Sequence, residues 1–572
     1  MLACTALVGC TNEDVVNNEN EKGQQAYMAV TIVNPVGMNS RGTVGNSEFV
    51  NGTANENAVN KVDFYFYDQN GNYLRKGITA NNPTGTENTQ PNNVEKVYSA
   101  VLVLETTENT QPHNVLAVIN NSDTDEFIGK SLKDAKTIIS NSYLNTSSAF
   151  LMTNSSYNGT DVSETFATKI DPATSLFATA EAAKEAPVKI YVERLATKVK
   201  VETPANGTAN DIPVQSGEGD IKQSTLTINV LGWGLNATNK SSFWIKNINT
   251  AWANTDADFF VWNAADYHRS YWAMSPNYLN GIYAVEGQVV PENSSVTYYT
   301  PAELLKLDDS GKPVITDGKA ESLKLVNDGG NNMVQYCMEN TSTSGKLADR
   351  AYVTAATHVI VLARIGDGAT TYYKYNGVMY DETNYKAAVL RDIQAYHGQI
   401  YVDANKTTPL AVTHIAVQAI NATDDVTYLN VTPAEQTTKF YKENGAEIAF
   451  AAILTETSTN EGATTTTPII LDAEGFNGGM MYYNIPIEHL NGSWYTKDAS
   501  GKKVYVEDPK EAVFGVVRNH YYQMEVNKIE NLGTGIYNPN KPIIPSTDPD
   551  KYYLAAELNV LAWHVVSQGV DL

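Results

Sequence analysis

Glu557-Leu558-Asn559-Val560-Leu561-Ala562-Trp563-His564-Val565-Val566 reads as a β-strand, because Val, Leu and Trp dominate it and neither Gly nor Pro interrupts it. Alternation puts Leu558, Val560, Ala562, His564 and Val566 on one face, and Asn559, Leu561, Trp563 and Val565 on the other. Both faces are largely apolar, so the strand needs cover on both sides, as a central sandwich strand does. Yet it follows a stretch from Tyr537 to Tyr553 that carries Pro539, Pro542, Pro545 and Pro549. A core strand on an extended tether either folds back onto its own domain or fills a groove in another molecule.

The 572 residues exceed one ordinary core, which implies two or more domains. With 34 Tyr and many Val and Thr, the composition favours β structure. The net charge of −24, without a basic cluster, argues against nucleic acid as a partner. Cys4, Cys10 and Cys337 are too few for a disulfide framework. No apolar run is long enough for a membrane-spanning helix.

Working back to residue 1, Leu7-Val8-Gly9-Cys10 matches the lipobox of bacterial lipoproteins, followed by a polar stretch. Lipidation of Cys10 is the better reading; an ordinary thiol in an apolar start is the alternative. The segment is short for a signal peptide and has no basic n-region, so the true start is expected upstream or the leader is truncated. Ala26 to Val33 is a second strand with apolar residues on both faces, ending at Asn34-Pro35. Arg41-Gly42 follows in a loop rich in Gly, Asn and Thr, the kind of segment proteases cut, although Arg41 on its own reads as a solvated arginine.

Strand patterns then recur: Val62–Tyr67 before an Asn70-Gly71 turn, Val94–Leu104, Asn114–Ile119 and a long strand Val188–Glu202. Ser131-Leu132-Lys133-Asp134 starts a helix that helical spacing extends to Tyr143. The loop Thr203–Gly219 reads as the domain boundary. Beyond it come strands at Thr225–Val230, Tyr352–Ile365, Thr371–Tyr375, His414–Ala419, Ile448–Ile453, Gly479–Ile485 and Val513–Val526. Helices are expected from Thr300-Pro301-Ala302-Glu303 and over Asn384–Ala395.

No catalytic constellation emerges. The eight histidines are scattered, and no nucleophile elbow or phosphate loop is present. Asp123, Asp125, Asp256 and Asp258 lack the rest of a calcium loop and read as solvated carboxylates, so no metal and no cofactor is expected. Trp233, Trp244, Trp252, Trp262 and Trp272 admit a sugar-stacking reading, with core packing the commoner role.

A family resemblance rests on Gly478-Gly479-Met480-Met481-Tyr482-Tyr483-Asn484-Ile485-Pro486-Ile487, Trp494, Val517-Arg518-Asn519-His520-Tyr521-Tyr522 and Ile529-Glu530-Asn531-Leu532-Gly533. The proline tether, Val560-Leu561-Ala562-Trp563-His564-Val565 and Val570-Asp571-Leu572 complete it, with a fainter echo in Val192-Glu193-Arg194. The chain resembles the major structural fimbrillin of the short (minor) fimbriae of Bacteroidales, a type V pilin. That resemblance implies an all-β fold with few short helices: two Greek-key, transthyretin-like β-sandwich domains and a C-terminal donor strand.

It further implies a lipoprotein precursor that reaches the outer membrane lipidated (palmitate) at Cys10. A trypsin-like, arginine-specific protease then cuts between Arg41 and Gly42, releasing the strand that carries Tyr27, Ala29, Thr31 and Val33. The expected units are 1–10 signal segment, 11–41 propeptide, 42–205 and 206–536 sandwich domains, and 537–572 tether and donor strand. The function expected is a non-enzymatic shaft subunit of an adhesive fimbrium. Its expected partners are identical subunits head to tail, tip or accessory subunits, the protease and host or bacterial surface ligands. The alternatives are a tip or accessory subunit, or a monomeric glycan-binding surface lipoprotein.

The exchange is physically feasible. Losing Tyr27–Val33 would leave two unpaired strand edges around an apolar slot. Five inward side chains, Leu558 to Val566, at about 1.5–3 kcal/mol each, would gain of order 10 kcal/mol on entering it. Ordering the tail opposes this by about 1–2 kcal/mol per residue.

Overall fold

The structure is a computed structural model. It describes residues 24–35, 52–83, 85–87, 94–106, 110–122, 126–155, 167–247, 273–285, 288–326, 333–342, 354–420, 428–460, 463–490, 495–497, 503–505, 513–545, 560–561 and 564–571. The chain is all-β with few short helices.

The first sheet is built from β1 (Gln24–Pro35), β2 (Lys61–Tyr67), β3 (Tyr73–Asn81), β4 (Gly85–Glu87), β5 (Val94–Thr106), β6 (Asn114–Ile119), β7 (Met152–Asn154) and β8 (Val188–Arg194). Their order is β3-β2-β6-β7-β8-β1-β5-β4. Strands from both ends of this path share one core. Phe64 and Phe66 of β2 and Val115 and Ala117 of β6 cluster with Leu102 and Leu104 of β5 and Ile190 of β8. The sheet therefore wraps its own apolar face, as a sandwich does. The opposite face of β2 and β6, Tyr65, Tyr67, Leu116 and Val118, packs in a second cluster with Phe127 and Trp244. The turn after β2 is held by Asp68, whose Oδ1 accepts from the amides of Asn70 and Asn72, both at 2.8 Å. Gly71 there takes φ 78°, which a Cβ would resist.

The rest of the described chain forms two larger sheets, beside several two-stranded ones. In order, its strands are β9 (Ala196–Glu202), β10 (Asn206–Gln215), β11 (Lys222–Asn236), β12 (Gln335–Met338), β13 (His358–Ile365), β14 (Tyr372–Tyr375) and β15 (Val378–Tyr380). After helix α1 (Glu382–His397) come β16 (Ile415–Ile420), β17 (Tyr428–Pro433), β18 (Ala473–Phe476), β19 (Met480–Pro486), β20 (His520–Lys528), β21 (Thr534–Gly535), β22 (Val560–Leu561) and β23 (His564–Asp571). The larger sheet runs β16-β17-β18-β14-β15-β10-β11-β13-β19-β21, and the smaller runs β12-β9-β20-β23-β22. Between them lies a core of Val199, Trp233, Leu235, Val359, Val361, Tyr483, Ile485, Tyr522 and Met524. Helix α1 starts at the cap Asp381, whose carboxylate accepts from the Asn384 amide at 2.9 Å, and ends at Gly398 with φ 72°. Its buried Tyr385, Ala388, Val389 and Ile393 cover Tyr373, Leu429 and Val431.

Several expectations need correction. The helix from Ser131 is one turn, Leu132–Ala135, because Ile139 and Ser140 pair with Phe243 and Ser242 instead. The single strand over Val188–Glu202 is two strands that enter different sheets, with Leu195 between them buried in the second cluster of the first sheet. The expected boundary loop Thr203–Gly219 contains β10, whose polar residues pair with β11 at a sheet position where half the face meets solvent. Ile448–Ile453 is a short strand end followed by a helical turn, Phe450–Ile453. Val513–Val526 is interrupted: Gly515 and Asn519 take positive φ, so the chain turns before β20 begins. The helix start at Thr300 stands, with a full capping box to Glu303. Trp233 and Trp244 are core residues, 2% and 1% exposed, which removes them from a sugar-stacking surface. Trp252, Trp262, Trp272, Asp123, Asp125, Asp256 and Asp258 lie outside the described residues.

Candidate assembly site

β1 sits in the middle of its sheet. It pairs antiparallel with β5 from Gln24 opposite Thr106 to Pro35 opposite Val94. On its other side it pairs parallel with β8, Val30 opposite Val188 through Val33 opposite Tyr191. Ahead of that ladder, Tyr27 exchanges two hydrogen bonds with Phe177, at 2.7 and 2.9 Å. The residues that drive this placement are Met28, Val30 and Ile32, all fully buried in the core with Leu102, Ile190 and Val192. At about 1.5–3 kcal/mol each, those three contribute of order 7 kcal/mol of gross burial free energy.

The residues named for the removable strand, Tyr27, Ala29, Thr31 and Val33, alternate with these along β1. Ala29 is buried there, and Tyr27 and Thr31 are half-buried. A short helix, Ala180–Glu185, packs against β1 and β5 with Ala183 fully buried. Met-Val-Ile at alternate positions was a readable signal for the inward face. Tyr27, Ala29 and Thr31 are the less apolar set.

Residues 36–51, including Arg41 and Gly42, lie outside the described residues, as does Cys10. The chain is described again from Gly52, and there it is fastened. Asn57 Nδ2 donates to the Gly52 carbonyl at 3.0 Å. Arg194 Nε donates to the Glu56 carbonyl at 2.7 Å, and its Nη2 donates to Asn57 Oδ1. Lys198 Nζ pairs with Glu56 Oε1 at 2.8 Å, and the Tyr336 hydroxyl donates to the same carboxylate at 2.5 Å. Burial pushes the Glu56 carboxyl up, but the Lys198 and Tyr336 hydrogen bonds outweigh it and hold it below the usual carboxylate range.

The same arginine crosses to the second part of the chain. Arg194 Nη1 donates to Asn519 Oδ1 at 2.9 Å, joining Glu193-Arg194 to Arg518-Asn519 across a sequence separation of 325. Asn519 N in turn donates to the Ala196 carbonyl at 2.7 Å, and the Thr197 hydroxyl donates to the Val517 carbonyl at 2.9 Å. Arg518 is fully buried and spends its guanidinium on Glu339 at 3.0 Å, the Phe243 and Trp244 carbonyls and Ser242 Oγ. These buried polar residues hold the two sheet systems together, a role that only spatial contact reveals. Cys337 is buried nearby, and burial pushes its thiol up to about 12, which leaves it unreactive.

The C-terminal strand lies at the far side of the smaller sheet. β23 pairs parallel with β20, His520 opposite His564 through Val526 opposite Val570. It folds back on β22, with Val560 opposite Val566. The single strand expected over Glu557–Val566 is thus a hairpin whose longer arm runs on to Asp571. Val560 lies in β22, and His564 and Val566 lie in β23; Leu558 and Ala562 lie outside the described residues. The tether is also shorter than expected. Ile543 and Ile544 are buried, Asn236 Nδ2 donates to the Ile543 carbonyl at 2.7 Å, and Ala302 N donates to the Pro539 carbonyl at 2.9 Å. The prolines up to Pro545 therefore belong to the body, because apolar residues between them find pockets on it.

Comparison with known proteins bears on this region. Residues 474–569 match the family model described as major fimbrial subunit protein type IV, fimbrillin, C-terminal. The matched part runs from within β18 into β23 and so includes Arg518, Asn519 and most of the hairpin. This similarity supports a fimbrial, cell-surface subunit that assembles with other fimbrial subunits. No curated protein matches the chain. Among solved structures, a putative cell adhesion protein from Parabacteroides distasonis is 13% identical, covering 60% of this chain and 76% of its own, with a TM-score of 0.29. A fimbrial assembly protein from Parabacteroides distasonis is 13% identical, covering 55% of this chain and 97% of its own, with a TM-score of 0.24.

Proposed function

We propose that the chain is the shaft subunit of an adhesive fimbrium and polymerises by protease-triggered strand exchange. In this reading β1 plugs the first sheet until a cut between Arg41 and Gly42 frees it, and the C-terminal strands of the next subunit then take its place. The single observation that carries the reading is the pairing of β1 on both edges, with Met28, Val30 and Ile32 in the core, so that its loss opens two edges at once. The fastening of Gly52–Asn57 supports it further. A cut at Arg41 would leave the downstream chain clamped by Arg194 while β1 loses its covalent link.

The tail in the structure is stored on its own β20 edge and would have to leave it. Extended chain covers at most about 3.5 Å per residue, so residues 546–559 allow it to travel of order 50 Å. Head-to-tail insertion of this kind does not close on itself and yields a filament. Two domains split near residue 205, lipidation at Cys10 and an outer-membrane lipoprotein precursor belong to the same proposal.

The tail paired with its own chain also fits a second reading, a monomeric surface lipoprotein that binds glycans. Incubation with trypsin separates the two. The fimbrial reading requires a ladder of oligomers on native gels after cleavage at Arg41; a species that stays monomeric after that cleavage favours the second.

A further inference from the structure

Glu193 and Lys246 face each other in the interior beside the Arg518 clamp. Lys246 Nζ lies 3.4 Å from Glu193 Oε2, and the two side chains are 4% and 1% exposed. Among the described residues, neither Nζ nor either Glu193 oxygen has a hydrogen-bond partner. Arg518, by contrast, engages all three guanidinium nitrogens, on Glu339, Phe243, Trp244 and Ser242. A buried ion pair recovers its desolvation cost only when further hydrogen bonds complete it, and this one has none. Burial pushes the Glu193 carboxyl above its usual range; Lys246 and Arg518 oppose that shift and Glu339 adds to it. Leu195, Trp244 and Ile245, within two residues of the pair along the chain, are buried in one apolar cluster. The pair is therefore apposed and buried, and among the described residues no further hydrogen bond completes it.

We propose that Glu193 and Lys246 become joined by an intramolecular amide bond between Glu193 Cδ and Lys246 Nζ. One proton passes from the ammonium to the carboxylate, giving a neutral amine and a neutral acid. The Nζ lone pair forms the new bond to Cδ. The C–OH bond breaks, and the hydroxyl leaves with a proton from Nζ as one water. Atoms and charge balance within the pair, with no oxidant, metal or activated co-reactant. Fixed apposition supplies the proximity that a dilute acid and amine lack, and departure of water from an apolar site disfavours the reverse step. The bond would tie β8 to the segment whose carbonyls hold Arg518, across the junction of the two sheet systems. Its use as a tension clamp rests on the fimbrial reading; the bond itself does not.

The test is the intact mass of the purified full chain. The bonded protein has a mass one water below that of its sequence, and its tryptic digest contains a branched peptide holding both Glu193 and Lys246. An unshifted intact mass overturns the proposal. In Lys246→Met the missing water must return, with the β-sheet circular dichroism spectrum checked in parallel. Water loss that persists in that variant places the modification elsewhere and overturns the proposal equally. Because this readout needs no filament, its failure is distinguishable from failure of the polymerisation reading.

Discussion

β1 and β23 are the two strands the exchange would trade, yet they occupy opposite kinds of position. β1 has a neighbour on each edge and places Met28, Val30 and Ile32 in the core. β23 has β20 on one edge and on the other only the two-residue β22. An edge strand leaves by breaking one ladder, a local opening of low free energy. A central strand leaves only by opening two ladders and vacating the core. On the proposed strand-exchange reading, the difference decides which of the two needs a covalent trigger: the tail would release by fluctuation, whereas β1 would stay until the chain is cut and a replacement competes for its slot.

The predictions that break or sharpen this contrast run from large to small. Val30→Asp buries an unpaired charge among Leu102, Ile190 and Val192 and should cost upwards of about 4 kcal/mol, preventing a folded first sheet. Val566→Asp in β23 should leave the melting temperature of the uncut chain within a few degrees while removing filament growth after trypsin. A large loss of stability in Val566→Asp, matched by a mild effect of Val30→Asp, would reverse the contrast. Next is Arg518→Ala, which strands Glu339 in the interior. It should lower the unfolding free energy by about 3–5 kcal/mol in denaturant titration, and its failure to do so would deny the clamp.

The smallest effect is on acid stability. Burial lowers the His358 pKa from 6.5 to about 4, so the folded state resists a proton that the unfolded chain accepts. The unfolded state binds more protons between those values. The native state therefore loses stability as pH falls from about 6.5 to about 4, by up to about 3 kcal/mol in all. Glu56 acts in the same direction lower down: its depressed carboxyl contributes stability above its unfolded value, and this is lost as pH falls through its folded value. A His358→Gln chain should flatten the upper part of that profile and leave the lower part unchanged.

Much of the sheet content was legible because β2, β6, β11 and β13 alternate or run apolar between turn signals, and the capping residue Thr300 marked its helix. Position within a sheet was not legible. β1 and the tail have similar strand signatures, and only tertiary pairing makes one central and the other peripheral. The break at Leu195 escaped notice because β8 and β9 are both strand-like and differ only in the sheet they join. β10 read as a loop because Asn206, Gly207, Thr208, Asn210 and Asp211 are turn formers, and its pairing with β11 overrides that preference. The clamp escaped because Arg194 and Asn519 are neighbours in space alone.

The central claim is that β1 is exchangeable for the C-terminal strands of another subunit only after cleavage in the segment that follows β1. The most direct measurement is electron microscopy of the full chain and of Arg41→Ala, each with and without limited trypsin, with mass spectrometry of the released N-terminal peptide. The account predicts filaments only in the cleaved wild-type sample, together with a released peptide ending at Arg41. Filaments in uncut protein, or normal filaments from Arg41→Ala, would contradict it.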